Sequence, residues 1–91
     1  MKYPLTDEQK SRLLVSAKSI YAPMIKGKFD ITIGDGWDTA EYTGTDAAVF
    51  YVYVRIVISE RLWLTRFKFN DFLVDPEIWF RRDAAALSRA I

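Results

Sequence analysis

Apolar residues recur along this chain at two different spacings, and the switches between them mark out its elements. Leu13, Leu14, Ala17, Ile20, Tyr21 and Met24 follow one another at steps of three and four, which places them on one face of a helix. Lys10, Arg12, Ser16, Lys18 and Ser19 lie largely off that face. Thr6 is suited to cap the start, Asp7 and Glu8 complement the helix dipole in the first turn, and Gln9 can close a capping box. Pro23 disfavours helical geometry at Ala22. The pattern predicts a helix over residues 6–22.

The spacing then changes to two. Lys28 to Ile33 alternates polar and apolar residues, as a half-buried strand does, and Asp35-Gly36 is the pair that a type I′ hairpin turn prefers. A turn there would set Ile33 opposite Asp38, Ile31 opposite Ala40 and Phe29 opposite Tyr42, with Thr32–Thr39 and the like-charged Asp30–Glu41 on the wet side. Trp37 would stand at the hairpin tip. Gly44-Thr45-Asp46 reads as a loop.

Ala48 to Ile58 is the strongest strand signal, β-branched and aromatic throughout. A second hairpin near Glu60-Arg61 would pair Ile58 with Trp63, Ile56 with Thr65, Val54 with Phe67 and Val52 with Phe69, an almost wholly apolar face. The opposite face would carry Tyr51, Tyr53, Arg55, Val57, Leu64, Arg66 and Lys68, with Arg55 facing Arg66. Residues 70–74 show no clear pattern and read as a loop. Asp75-Pro76-Glu77 is a helix start, followed by an inward stripe of Phe80, Ala84, Leu87 and Ile91 flanked by Ile78 and Trp79. The expected fold is α+β: a two-layer sandwich with a four-stranded antiparallel sheet made of two hairpins. N- and C-terminal helices would cover one sheet face, in the order α-β-β-β-β-α, as a single domain over residues 1–91.

Composition narrows the chemistry. The chain contains neither cysteine nor histidine, which removes disulfides, thiolate zinc sites, the commonest general base and the usual pH switch. Fourteen aromatic rings (Trp 3, Tyr 5, Phe 6) are more than so short a chain can bury, so some must face outward. No stretch approaches the roughly 20 apolar residues of a membrane span, and the N-terminus lacks the apolar region of a signal peptide. The expectation is a soluble cytoplasmic protein with no membrane association.

The net charge is +1 but unevenly spread: +4 over residues 1–28, −5 over 29–54 and +2 over 55–91. Asp35, Asp38 and Glu41 cluster in sequence, yet a hairpin tip offers neither a pocket nor an altered proton affinity for acid–base work, and turn chemistry accounts for them. The serines (Ser11, Ser16, Ser19, Ser59, Ser88) have no histidine to activate them. Asp30, Asp35, Asp38, Glu41 and Asp46 supply oxygen ligands without the spacing of a calcium loop. No catalytic residue, metal or cofactor is expected.

What remains is a surface. Tyr51, Tyr53, Arg55, Leu64, Arg66 and Lys68 combine rings, aliphatic bulk and positive charge on one sheet face, and Trp37 adds an exposed anchor. These residue types are enriched at protein interfaces. They point to a small non-enzymatic protein-binding module, an adaptor, regulator or inhibitor of a larger protein, in the style of phage or mobile-element accessory proteins, and also to a homodimer. Acidic groups of a partner would relieve the Arg55–Arg66 pair. The alternative is a single-stranded nucleic-acid-binding domain using Tyr51, Tyr53, Arg55, Arg66 and Lys68 as a stacking and phosphate-tracking platform. The small net charge and the acidic segment weigh against it.

Overall fold

The computed structural model describes residues 3–42 and 45–91, with the side chains of residues 40–46 outside the description. Helix α1 (Asp7–Tyr21) starts on the expected capping box: Gln9 N–H donates to Thr6 Oγ1 at 3.1 Å and Thr6 N–H to Gln9 Oε1 at 2.8 Å. A 3₁₀ turn at Ala22–Met24 carries Pro23. Three strands follow, β1 (Phe29–Tyr42), β2 (Thr45–Ile58) and β3 (Arg61–Lys68), then a single helical turn α2 (Phe69–Phe72) and helix α3 (Pro76–Ala90). The sheet is antiparallel with β2 in the centre.

The four-stranded sheet is therefore corrected to three strands and the order to α-β-β-β-α-α. No hairpin turns at Asp35-Gly36. The chain runs straight through it, so that β1 pairs with β2 from Phe29↔Ile58 to Tyr42↔Thr45. The local turn preference is outweighed by this long ladder, in which Ile31, Ile33, Val54 and Ile56 share one face. Asp35 also gains partners that a turn would deny it: the Leu5 backbone N–H at 2.7 Å and Lys10 Nζ at 3.4 Å. Thr45 and Asp46, expected in a loop, begin β2; Gly44 lies outside the described residues.

The second hairpin turns one residue earlier than expected. Ser59 and Glu60 both have positive φ (47° and 67°), the backbone of a two-residue type I′ turn, and the ladder becomes Ile58↔Arg61, Ile56↔Trp63, Val54↔Thr65 and Val52↔Phe67. The register differs by two residues, so every side chain keeps its expected face. The like-charge pair does not form: Arg55 faces Leu64, and Arg66 faces Tyr53. Residues 69–72 are helical because one turn lets Phe69 and Phe72 reach the core, where they are 1% and 0% exposed.

Both long helices pack on the even-numbered face of β2. Phe50, Val52, Val54 and Ile56 there meet Ala17 and Tyr21 of α1 and Phe80, Ala84 and Leu87 of α3. Burying each large aliphatic or aromatic side chain contributes about 1.5–3 kcal/mol. Met24 and Ile91, expected on the inward stripes, lie exposed at the helix ends.

Asp83 takes a place in this core that the apolar stripe did not reserve for it. Its carboxylate accepts the Tyr21 hydroxyl at 2.6 Å, the Trp63 indole N–H at 3.0 Å and the Thr65 hydroxyl at 2.9 Å. No buried side-chain nitrogen or oxygen among the described residues is left unpaired. Burial, then the hydrogen bond to Asp83 and its charge, push the Tyr21 hydroxyl far above the usual tyrosine range.

Asp83→Ala would strand buried donors and lower stability by about 2–5 kcal/mol, read as a reduced urea midpoint. The raised Tyr21 proton affinity means that the folded state keeps a proton which the unfolded chain loses near pH 10. Its contribution is complete below that pH and lost above it, at up to about 1.4 kcal/mol per pH unit. Urea titrations between about pH 9 and 11 should show this fall, and Tyr21→Phe should flatten it.

Candidate interaction surface

The sheet face away from the helices carries Asp30, Thr32, Gly34, Gly36 and Asp38 from β1, Val49, Tyr51, Tyr53, Arg55 and Val57 from β2, and Leu62, Leu64, Arg66 and Lys68 from β3. This follows from the pairing register and the alternation of side chains along each strand. None of these residues belongs to the core cluster.

At one end the face organises itself around Arg66. Its guanidinium donates to Asp38 Oδ2 at 2.9 Å and lies over the Tyr51 ring at 4.3 Å. The Tyr53 hydroxyl donates to the same Asp38 oxygen at a long 3.4 Å. Tyr51 and Tyr53 lie with ring centroids 6.2 Å apart, opposite Gly36 and Gly34. A β-carbon at Gly36 would meet the Tyr53 ring at an ordinary contact distance of 3.8 Å, and one at Gly34 would meet nothing within 4 Å. Under the Arg66 guanidinium Tyr51 is only 4% exposed. Desolvation first, and then the Asp38 carboxylate, raise the Tyr53 hydroxyl above its ordinary range, against the opposing pull of Arg66.

The other end is open and apolar. Leu62 and Leu64 are 56% and 57% exposed, side by side on β3, and face the half-buried Val57 and the exposed Arg55 across the ladder. Thus Tyr51, Tyr53, Arg66 and Lys68 gather at one end of the face, and Leu64 sits with Arg55 at the other.

Trp37 is separate. Rather than standing at a hairpin tip, it lies inside β1 opposite Phe50 on the helix side. There it joins Tyr3, Phe50 and Phe69, with ring centroids 4.7–5.3 Å apart, and is still 60% exposed. Trp79 lines a groove of about 350 Å³ with Tyr51, Arg66, Phe67, Lys68 and Asp71, and its indole N–H donates to the Asp71 carbonyl.

The acidic residues do not converge. Asp35 faces the helices and Asp38 the open side, because β1 is a strand and an odd separation alternates faces. Among the described residues no three carboxylates stand together; the Glu41 and Asp46 side chains lie outside them. Asp38 was legible only as part of an acidic run, and its role as the acceptor for Arg66 depends on the continuous β1. Among the described residues no helix is long and apolar enough to cross a membrane. Compared with protein-family models, curated proteins and solved structures, the chain shows no match.

Asp38 and Arg66 are both about half exposed, so solvent screens their attraction. A double-mutant cycle with Asp38→Asn and Arg66→Gln should give a coupling of about 0.2–1 kcal/mol that shrinks with added salt, measured by urea unfolding.

Proposed function

We propose that this chain is a non-enzymatic protein-binding module that works in the cytoplasm and docks on a larger protein through the open sheet face. The observation that carries the reading is one-sided coverage. Both long helices lie on one face of the sheet, while Leu62 and Leu64 stand more than half exposed on the other beside Arg55. Water gains nothing from solvating two adjacent leucines, and a partner surface that buries them with Val57 recovers the hydrophobic free energy. Arg55, exposed beside them, supplies directional hydrogen bonds, the usual complement to an apolar centre. Three of the carboxylates are occupied one by one, Asp35 by Lys10 and Leu5, Asp38 by Arg66 and Asp83 by three donors. This suits binding better than acid–base chemistry.

The single-stranded nucleic-acid reading is less well supported. A stacking platform needs ring faces open to bases, whereas Tyr51 is buried beneath the Arg66 guanidinium and Tyr53 is half-buried.

The test pairs affinity capture with a salt series. Proteins retained by the wild type should be lost with Leu64→Asp and with Arg55→Glu, and kept with the helix-surface control Lys18→Glu. Retention should change little between about 50 and 200 mM salt. Fluorescence anisotropy with mixed-sequence single-stranded RNA and DNA is expected to show no saturable binding. Micromolar binding that collapses over the same salt range would overturn the protein-docking reading.

A further inference from the structure

β3 is an edge strand, with β2 on one side of it and no strand of the described residues on the other. The two-residue turn makes Ile58↔Arg61 a hydrogen-bonded pair, so Arg61, Trp63, Thr65 and Phe67 direct their N–H and C=O groups to β2. Leu62, Leu64 and Arg66 therefore aim theirs outward from the sheet, and all three residues are exposed. Their side chains stand on the open face, while those of Trp63 and Thr65 reach Asp83 on the helix side.

One flank of α3 borders the same edge. Trp79 lines a hollow with Lys68, and Ala90 lines another with Arg61. Trp79, Arg82, Ala86 and Arg89 follow one another at steps of three and four, with Ala90 one turn beyond Ala86, so they share that flank. The Arg82 guanidinium lies 5.3 Å from the Trp79 ring centroid, and Arg82 and Arg89 are exposed. Neither they nor Arg61 have an ion pair among the described residues. Arg66 is engaged by Asp38. The hollow at the Arg61 end, about 380 Å³, is lined by Ile58, Leu62, Trp63, Leu87, Ala90 and Ile91 together with Ser59 and Arg61, and by no carboxylate. The nearby acids stand at the two ends of the edge, Glu60 in the turn before Arg61 and Asp71 in the hollow beside Lys68.

We infer that an extended acidic segment of a partner protein adds to the sheet as a strand along the outer edge of β3. It would carry apolar side chains on the open face against Leu62 and Leu64, and carboxylates on the other face toward Arg61, Arg82 and Arg89. A free strand edge recognises main chain in extended form, and the period of two along a strand delivers the two kinds of side chain to opposite sides. The main-chain hydrogen bonds and the leucines carry the affinity, and the cations choose the sequence. A second copy of this chain does not suit the edge. Its β3 brings Arg61, Arg66 and Lys68 and no acid, so two such strands would set like charges side by side. The inference rests on the protein-docking reading and states the chemistry of the partner.

The probe is a fluorescein-labelled heptapeptide, Glu-Thr-Glu-Val-Glu-Ile-Glu, titrated with the full chain and followed by anisotropy. Wild type should bind it saturably. It should not bind a reordered peptide of the same composition, Glu-Glu-Val-Thr-Ile-Glu-Glu, or a version with lysine for glutamate. Binding should weaken at least about tenfold with Leu64→Asp, and equally with Arg82→Glu combined with Arg89→Glu, while the circular dichroism of each stays that of wild type. Backbone N-methylation tests the strand geometry without altering the protein. Methylating one alternate set of peptide amides should abolish binding, and methylating the other should not. No saturable binding below about 1 mM, equal binding of the reordered peptide, or equal loss from both methylated sets would overturn the inference. The docking reading fails separately: it stands on partners that wild type captures and Leu64→Asp loses, whatever the peptide does.

Discussion

The Asp83 carboxylate receives the Tyr21 hydroxyl, the Trp63 indole and the Thr65 hydroxyl, and so ties the last turn of α1, the middle of β3 and the middle of α3 to one point. A carboxylate buried to this degree is costly unless charge-directed hydrogen bonds replace the water it gives up. Three donors from two other elements meet that requirement only if both helices lie on the same sheet face. Apolar packing alone is tolerant of small slides between layers; an acceptor that three donors must reach is not. The network therefore ties the choice of covered face to hydrogen-bond satisfaction as well as to burial.

Coverage on one side determines what is left on the other. At one end of the open face the sheet compensates locally: Tyr51 and Tyr53 lie side by side, Arg66 covers the Tyr51 ring, and Asp38 anchors Arg66. At the other end nothing comparable is built over Leu62 and Leu64. The same uneven finish recurs along the strand direction, where β3 ends before its neighbours and α2 carries the chain toward the core. The open leucines and the early end of β3 both reflect strands and helices that do not extend equally.

Local signals were legible where few contacts compete. The Thr6–Gln9 capping box, the Asp75-Pro76 helix start and the face assignments of β2 and β3 follow from residue type and period, and the structure keeps them. The Asp35-Gly36 turn signal failed because a two-residue preference, worth little by itself, competed with a fourteen-residue strand pair. Ser59-Glu60 makes a type I′ turn without the usual Asn or Gly, so composition gave no cue to it. Placing a turn at Asp35-Gly36 split the single strand β1 into two and set Trp37 at a tip, whereas the structure holds it within β1 on the helix side.

The candidate surface was legible in part for the same reason. A register error of two residues leaves faces intact, so the membership of the open face was readable while its pairs were not. Arg66 finds Asp38 rather than Arg55, which removes the repulsion expected there.

By itself, the sequence determined the two long helices with their N-caps, the apolar faces of β2 and β3 and the absence of cysteine and histidine chemistry, because these depend on neighbours a few residues apart. Only the tertiary structure decided the strand count, the burial of Tyr51, the partners of Asp83 and the point at which β3 ends against β2. Each of those joins residues far apart in the chain, and free energy of long-range pairing and burial, not local preference, selects among the arrangements that the same pattern of residues allows.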